Sequence, residues 1–374
     1  MNYKVPFVDF PAHYHNMEAE IDAAIKGVLS KGDFILRDDM RQFESNMASF
    51  LGLSHAVSVH SCTDAMRFSL LAAGLGQGDE VITVAHTFVA TIAVIVHCGA
   101  TPVLVDVADD FNIDVAQVER VISPRTKAII PVHLNGRCCD MERLMDIASK
   151  HNLIVIEDAA QALGASLNGN KAGAFGLTSC YSFYPAKILG AAGDGGMVVT
   201  NDKNLAEKVW LLRDHGRETK DDIALFGFNS RLDNLQAAIL NVKFKYLTQW
   251  IDRRRELAKL YHKGLEDIPN IVLPPPPEPT GGYFDVYQNY VVRAQERDSL
   301  TEYLRKNGIE TLISSPTPNH FQKALGLGRF HLPRTEQFAG EVISLPMNTE
   351  ISNEQIECVI DSIQAFYKSR IQPW

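Results

Sequence analysis

Lys187 stands between an apolar, β-rich run, Ser179 to Phe183, and a glycine-rich turn marked by Gly190, Gly193, Gly195 and Gly196. A second apolar run, Met197 to Val199, follows the turn. An ammonium is costly to bury unless it is paired or neutralised. A lysine between two strands, among small residues that let a ligand approach the backbone, therefore points to amine chemistry, and the Schiff base is its commonest form. Taken alone, the pattern equally describes a surface lysine in a β-hairpin. A second group narrows the choice. Leu153 to Glu157 reads as a buried strand that ends in Asp158, and ligands of open α/β sheets gather at the carboxyl ends of strands. The spacing from Asp158 to Lys187 leaves room for a connection and one more strand. A carboxylate to pair with a ring nitrogen and an amine to hold an aldehyde are two parts of a pyridoxal 5'-phosphate site.

The elements that must position these groups follow from periodicity. Residues 15 to 29 read as an amphipathic helix with Met17, Ile21, Ile25 and Val28 on one side, and Asp39 to Leu51 as another. Ala56 to Val59 is a strand candidate, followed by His60-Ser61-Cys62-Thr63-Asp64 and a helix to about Ala73. A strand, a turn of small residues and a helix start make an anion site, because free amides and the positive end of the helix dipole face the ligand; Thr63 also reads as a simple N-cap. His86 to Ala100 reads as a helix with Phe88 in its first turn. Apolar strand candidates are Thr101 to Val107, Ala128 to His133 and Leu153 to Asp158, with helical stretches around 115–122 and 140–150 between them. Such alternation implies a mostly parallel sheet covered on both faces. A helix beginning after Asp158 would let Gln161 share its direction. Further on, Asn204 to His215 reads as a helix closed by Gly216, the stretch Gly216 to Gly227 as polar and mobile, and Leu232 to Leu247 as a long helix. Beyond Trp250 a helix crosses into a second unit. A proline-rich connector, Pro274 to Gly282, follows, and then a strand from Tyr287, a helix over 297–307 and a strand over 309–313.

Three separated segments, EDAAQALGA (Glu157 to Ala165), SFYPAKILGAAGDGGMVVT (Ser182 to Thr200) and NSRLDNLQAAIL (Asn229 to Leu240), resemble the nucleotide-sugar aminotransferases, the DegT/DnrJ/StrS group of fold-type I pyridoxal phosphate enzymes. The resemblance runs from about Gly32 to about Pro346, and ordered motifs are far more specific than any one of them. It implies an α/β fold: a large domain, residues 1–250, with a mixed, mostly parallel sheet flanked by helices, and a smaller α+β domain, residues 251–374. It implies Lys187 as the Schiff-base lysine, Asp158 at the ring nitrogen and Gln161 near the 3′ oxygen. Cys62, through its backbone, Thr63 and Ser182 would hold the phosphate, with Ser179 as the alternative serine. Phe88 would stack on the ring, where the ordinary alternative is a core phenylalanine. Asn229 would reach the phosphate of a neighbouring subunit, making the enzyme at least a homodimer.

Arg231 would pair with the amino donor's carboxylate, or else be a solvated arginine at a helix start. His320 would lie near the sugar. The implied donor is L-glutamate, and the acceptor a nucleotide-linked keto-deoxyhexose, with the segment Pro316 to His320 favouring a 3-keto over a 4-keto sugar. Two departures stand out. Arg37 replaces a frequent family glycine, and Ser314-Ser315 replace a His-Tyr pattern. Competing readings are a regulatory or inactive binding protein on the same scaffold, a dehydratase with histidine in place of the lysine, which Lys187 opposes, and a nucleotide-binding oxidoreductase. The last would need a dinucleotide fingerprint, and Gly74, Gly76 and Gly78 do not supply it, because they precede a strand instead of following one.

Composition sets bounds. At 374 residues the chain suggests two domains. A formal net charge of −9 without a basic cluster argues against nucleic acid as a partner. No apolar run reaches the roughly 20 residues of a membrane span. The start MNYKVPFVDF lacks the basic and apolar regions of a signal peptide. The six cysteines have no C-x-x-C spacing and read as reduced thiols, so the expected location is the cytoplasm. His133, Cys138, Cys139 and His151 lack paired ligand spacing, and no metal is expected.

Overall fold

A computed structural model describes residues 3–278 and 281–370; Pro279 and Thr280 of the proline-rich connector, with the chain ends, lie outside the described residues. The large sheet has seven strands: β1 (His55–Val59), β2 (Glu80–Val84), β3 (Thr101–Val105), β4 (Thr126–Ile129), β5 (Ile154–Asp158), β6 (Thr178–Ser182) and β7 (Gly196–Thr200). Their order is β1-β7-β6-β5-β4-β2-β3. Only β7 runs against the rest, pairing antiparallel with both β1 and β6. Strands such as β2 and β7 are buried along their whole length, as a sheet covered on both faces requires. The strand expected over 128–133 stops short, because Pro131 has no amide to give the ladder; its carbonyl instead accepts from the Asp158 N–H at 2.9 Å.

Helices cover both faces. The first amphipathic helix runs Glu18–Lys31 with Ile21 and Val28 buried, after a separate short helix, Phe10–His15. The helix Asp38–Leu51 ends on Gly52 in the left-handed region, φ 70°. Arg37 has φ −108°, extended backbone open to any residue, so arginine in place of glycine strains nothing there. The long helix expected over 232–247 is two helices, Asn234–Phe244 and Leu247–Leu265. The first closes with tight bonds from Lys245 N–H to Val242 O and from Tyr246 N–H to Lys243 O.

The second helix links two cores. Trp250 and Ile251 pack into the core under the large sheet. Leu257, Ala258, Tyr261 and Leu265 pack with Tyr290, Leu304, Ile343 and Phe366 in a second core. That core lies under an antiparallel sheet ordered Ile271–Val272, Tyr290–Ala294, Val342–Leu345, with helices Arg297–Lys306 and Asn353–Lys368 against it. Val5 belongs to this second core and bridges Ile309. The strand expected over 309–313 is reduced to single bridges at Ile309 and Leu312, because each end finds a different partner. The stretch 216–227 is a structured loop with a bridge between Arg217 and Ile223. No helix among the described residues is long and apolar enough to cross a membrane.

Candidate active site

Asp158 ends β5 in the interior, 4% exposed. The Thr91 hydroxyl donates to its Oδ2 at 2.8 Å and the Ala160 N–H to its Oδ1 at 3.2 Å. Burial raises its pKa, against the pull of these two donors and of Lys187. Thr91 lies on the helix Val89–His97, and its oxygen is 2.9 Å from that of Thr87. Phe88 precedes this helix, as its N-cap in extended backbone, and does not lie within its first turn. It is 72% exposed, so it is no core ring.

Lys187 sits on the turn after β6, half-buried, with its pKa lowered chiefly by desolvation and opposed by Cys62 and Asp158. Its N–H donates to Tyr184 O at 2.8 Å. Ser182 and Ser179 are separated by the strand's alternation. Cys180 faces the helix Cys62–Ala72, with Sγ 3.4 Å from Ser69 Oγ, and Ser182 shares that face. Ser179 shares the opposite face with Tyr181, whose hydroxyl donates to Ala172 O at 2.6 Å. The alternative serine is therefore on the wrong side of the sheet.

Ser182 is registered with Gly196. A Cβ on Gly196 would lie 2.5 Å from Cys62 N, so the missing side chain lets the helix start press against the strand. The N-cap of that helix is Ser61, not Thr63: Ser61 Oγ accepts from Asp64 N–H at 3.1 Å. The first amides, those of Cys62 and Thr63, have no acceptor within the helix. These amides and the Ser182 hydroxyl together fit a phosphate, the Phe88 face fits a flat ring, Asp158 fits a protonated ring nitrogen, and Lys187 fits an aldehyde carbon.

Gln161 lies in a turn; no helix follows Asp158. Its Oε1 accepts from Asn135 N–H at 2.8 Å. Asn229 is exposed and its side chain has no partner within the described residues, while the adjacent Ser230 hydroxyl donates to Asp64 Oδ2 at 2.7 Å. Arg231 is partly exposed and pairs with Asp214 Oδ1 at 2.7 Å. His320 needs correction: at 1% exposure its ring offers no surface to a sugar, and its Nε2 lies 3.2 Å from Glu336 Oε1. The neighbouring Asn319 makes the contact toward the site, donating to Ala85 O at 3.0 Å and to Thr87 O at 2.7 Å, just before Phe88. His133 uses both ring nitrogens inside the fold: Nδ1 accepts from Cys139 N–H at 3.0 Å, so Nε2 carries the proton donated to Glu157 at 2.8 Å.

Thr91, Asn319 and Ser230 were not legible as site residues. Their partners come from distant segments, and a hydroxyl or amide on a helix or loop carries no periodic signal.

The large sheet with its single antiparallel strand, the lysine on the turn after β6 and the aspartate ending β5 define a fold-type I pyridoxal phosphate enzyme. Residues 15–364 match the DegT/DnrJ/EryC1/StrS aminotransferase family, and the chain belongs to that family, whose members depend on pyridoxal phosphate. A Geobacillus stearothermophilus protein named pleiotropic regulatory protein is 44% identical over 97% of this chain and 99% of its own. The UDP-N-acetyl-3-dehydro-alpha-D-glucosamine 3-aminotransferase of Acidithiobacillus ferrooxidans is 43% identical over 95% of this chain and 96% of its own. The crystal structure of S. venezuelae DesV in complex with a ketimine intermediate superimposes with a TM-score of 0.93 at 41% identity, covering 97% of this chain and 98% of that one.

Proposed function

We propose that this aminotransferase moves an amino group from L-glutamate to C3 of a nucleotide-linked 3-keto-deoxysugar, as a cytoplasmic homodimer. The observation that carries the reading is the placement of a desolvated lysine, Lys187, on the turn after β6, beside a buried carboxylate, Asp158, at the end of the adjacent parallel strand β5. The C3 assignment is supported by the Acidithiobacillus relative, whose name specifies a 3-dehydro sugar and 3-amination.

Bound pyridoxal phosphate supplies an aldehyde to carry the amino group and a ring that accepts electrons. The chain's residues do the rest. Desolvation favours the neutral form of the Lys187 amine, so Nζ can take a proton from the donor's α-carbon and return it, across the intervening nitrogen, to the carbon that had carried the aldehyde. Asp158, fixed by Thr91 and Ala160, keeps the ring nitrogen protonated. The amides at the start of the helix Cys62–Ala72, with Thr63 and Ser182, hold the phosphate. Phe88 covers the ring, and Gln161 lies toward its oxygen substituent. Arg231 receives the donor's carboxylate, exchanging its Asp214 partner for it. Asn229, whose side chain has no partner among the described residues, reaches the neighbouring subunit's phosphate. The large domain, to about residue 250, supplies these groups.

A second reading, a regulator that keeps the scaffold, has the name of the Geobacillus relative in its favour. Running the reaction in reverse separates the two. Protein loaded with pyridoxal phosphate is given 2-oxoglutarate with a 3-amino or a 4-amino nucleotide deoxysugar, and glutamate is measured. Glutamate from the 3-amino sugar supports the proposal, glutamate from the 4-amino sugar alone moves the position, and none from either, with cofactor bound, favours the regulator.

A further inference from the structure

The turn that carries Lys187 is held by side chains from elsewhere in the chain. Lys243 Nζ donates to Gly190 O at 2.7 Å, and Gln236 Oε1 accepts from Ala192 N–H at 2.8 Å. Gln288 does something more specific. Its Nε2 donates to Ala186 O at 2.9 Å and its Oε1 accepts from Ile188 N–H at 2.9 Å. Those two groups belong to the peptide units on either side of the Lys187 Cα. One amide thus grips both planes whose orientation sets the direction of the lysine side chain, a grip that needs a donor and an acceptor on the same group.

Gln288 is itself fixed. It is 7% exposed, and its backbone carbonyl accepts from Arg254 Nη1 at 3.1 Å. The same guanidinium nitrogen also donates to Tyr287 O and Met347 O, both at 3.0 Å. On the other side, a Cβ at Gly136 would lie 2.6 Å from Gln288 N, so the two backbones touch and Gln288 has no room to move toward it. Gly136 O accepts from Val286 N–H at 2.9 Å, and Asn135 gives its N–H to Gln161. A continuous chain of contacts therefore joins Gln161 on one side of the site to the Lys187 turn on the other. It passes through the segment that leads into the small sheet at Tyr290.

We propose that Gln288 is a positioning residue for Lys187: it locks the flanking peptides so that Nζ keeps its place when the lysine is released and must act as a base, and it ties that place to the C-terminal unit. This rests on the reading of Lys187 as the cofactor-linked lysine.

The test compares wild type with Gln288→Met, which keeps the shape and loses both bonds, and Gln288→Glu, which loses the donor at neutral pH and regains it when protonated. Three quantities are read: hydrogen exchange of the 184–191 segment in the cofactor-free protein, the rate of covalent linkage on mixing that protein with pyridoxal phosphate, and kcat and KM for the amino donor. For Gln288→Met the expected result is faster exchange confined to that segment. Linkage and kcat should fall on the order of 10- to 100-fold, with KM changed by less than about threefold, as displacement of a reacting group by an ångström predicts. For Gln288→Glu the linkage rate recovers as pH falls, opposite to wild type, and this arm carries the test should the methionine variant not fold. Wild-type exchange and linkage rates in both variants overturn the proposal. Wild type that forms no covalent linkage at Lys187 overturns the underlying reading instead.

Discussion

The Thr91 hydroxyl donates to Asp158 Oδ2 at 2.8 Å from the interior face of a helix whose N-cap is Phe88. The hydrogen bond ties the carboxylate to the element that presents the Phe88 ring, so in the proposed site it fixes the partner of the ring nitrogen relative to the stacking face. It also leaves a buried acid whose charge is only partly compensated until a protonated nitrogen arrives.

That compensation predicts opposite effects of one substitution with and without cofactor. The Asp158 pKa is raised in the folded protein, so ionisation is easier in the unfolded chain. The cofactor-free protein therefore loses stability as pH rises from the ordinary carboxylate range through the raised value. Asp158→Asn removes this loss, and rotation of the Thr91 and Thr87 hydroxyls can satisfy the new amide. Thermal melting at pH 7 should show cofactor-free Asp158→Asn at least as stable as wild type, while its stabilisation by pyridoxal phosphate is lost.

Phe88 contributes little to folding where it stands, because most of its ring is in solvent. Phe88→Ala should change stability by no more than about 0.5 kcal/mol. It should weaken cofactor binding by about 1 kcal/mol, roughly five- to tenfold, the scale of an aromatic stacking contact. Melting and a binding titration on the same preparation check both.

Lys243 is buried against Gly190 O, and burial lowers its pKa to about 8. Between that value and the ordinary lysine range the unfolded chain holds a proton that the folded protein has released, so stability should rise with pH through this window. The gain attributable to this one group should be on the order of 2 kcal/mol. Melting temperatures of wild type and Lys243→Met, followed from pH 7.5 to 10, should converge toward low pH and separate in favour of wild type as pH rises.

The side chain of Asn229, exposed and without a partner among the described residues, makes a prediction about subunits. Lys187→Ala and Asn229→Ala proteins should each be impaired alone. When equal amounts of the two are mixed under conditions that exchange subunits, about half of the dimers are hybrids with one site that has both wild-type groups, and activity should return toward about one quarter of the wild-type value. Activity that never exceeds the sum of the separate variants would mean that Asn229 serves its own chain.

Much of this was legible in the sequence because it is periodic or covalently local. The strands ending at Val59 and Asp158, a helix following the turn at His60 to Asp64 and the lysine turn after Ser182 follow from alternation, apolar runs and glycine placement. What failed depended on tertiary partners. Ser61 caps the helix expected to be capped by Thr63, because it is the residue that leaves the strand in extended backbone. Gln161 sits in a turn because the chain leaves Asp158 for a short hairpin at Ser166–Leu167 and Asn170–Lys171. His320 is buried, with its Nε2 against Glu336 sixteen residues on. Gln288 carried no signal at all, since its significance lies in the backbone of a turn about a hundred residues earlier.

The central claim is that Lys187 carries the cofactor. The most direct measurement is borohydride reduction of the protein after incubation with pyridoxal phosphate, followed by peptide mass analysis. The account predicts a pyridoxyl-phosphate mass on the peptide containing Lys187 and none on that peptide after prior treatment with L-glutamate. Modification of other lysines with Lys187 untouched, or a Lys187→Ala protein labelled as fully as wild type, would contradict it.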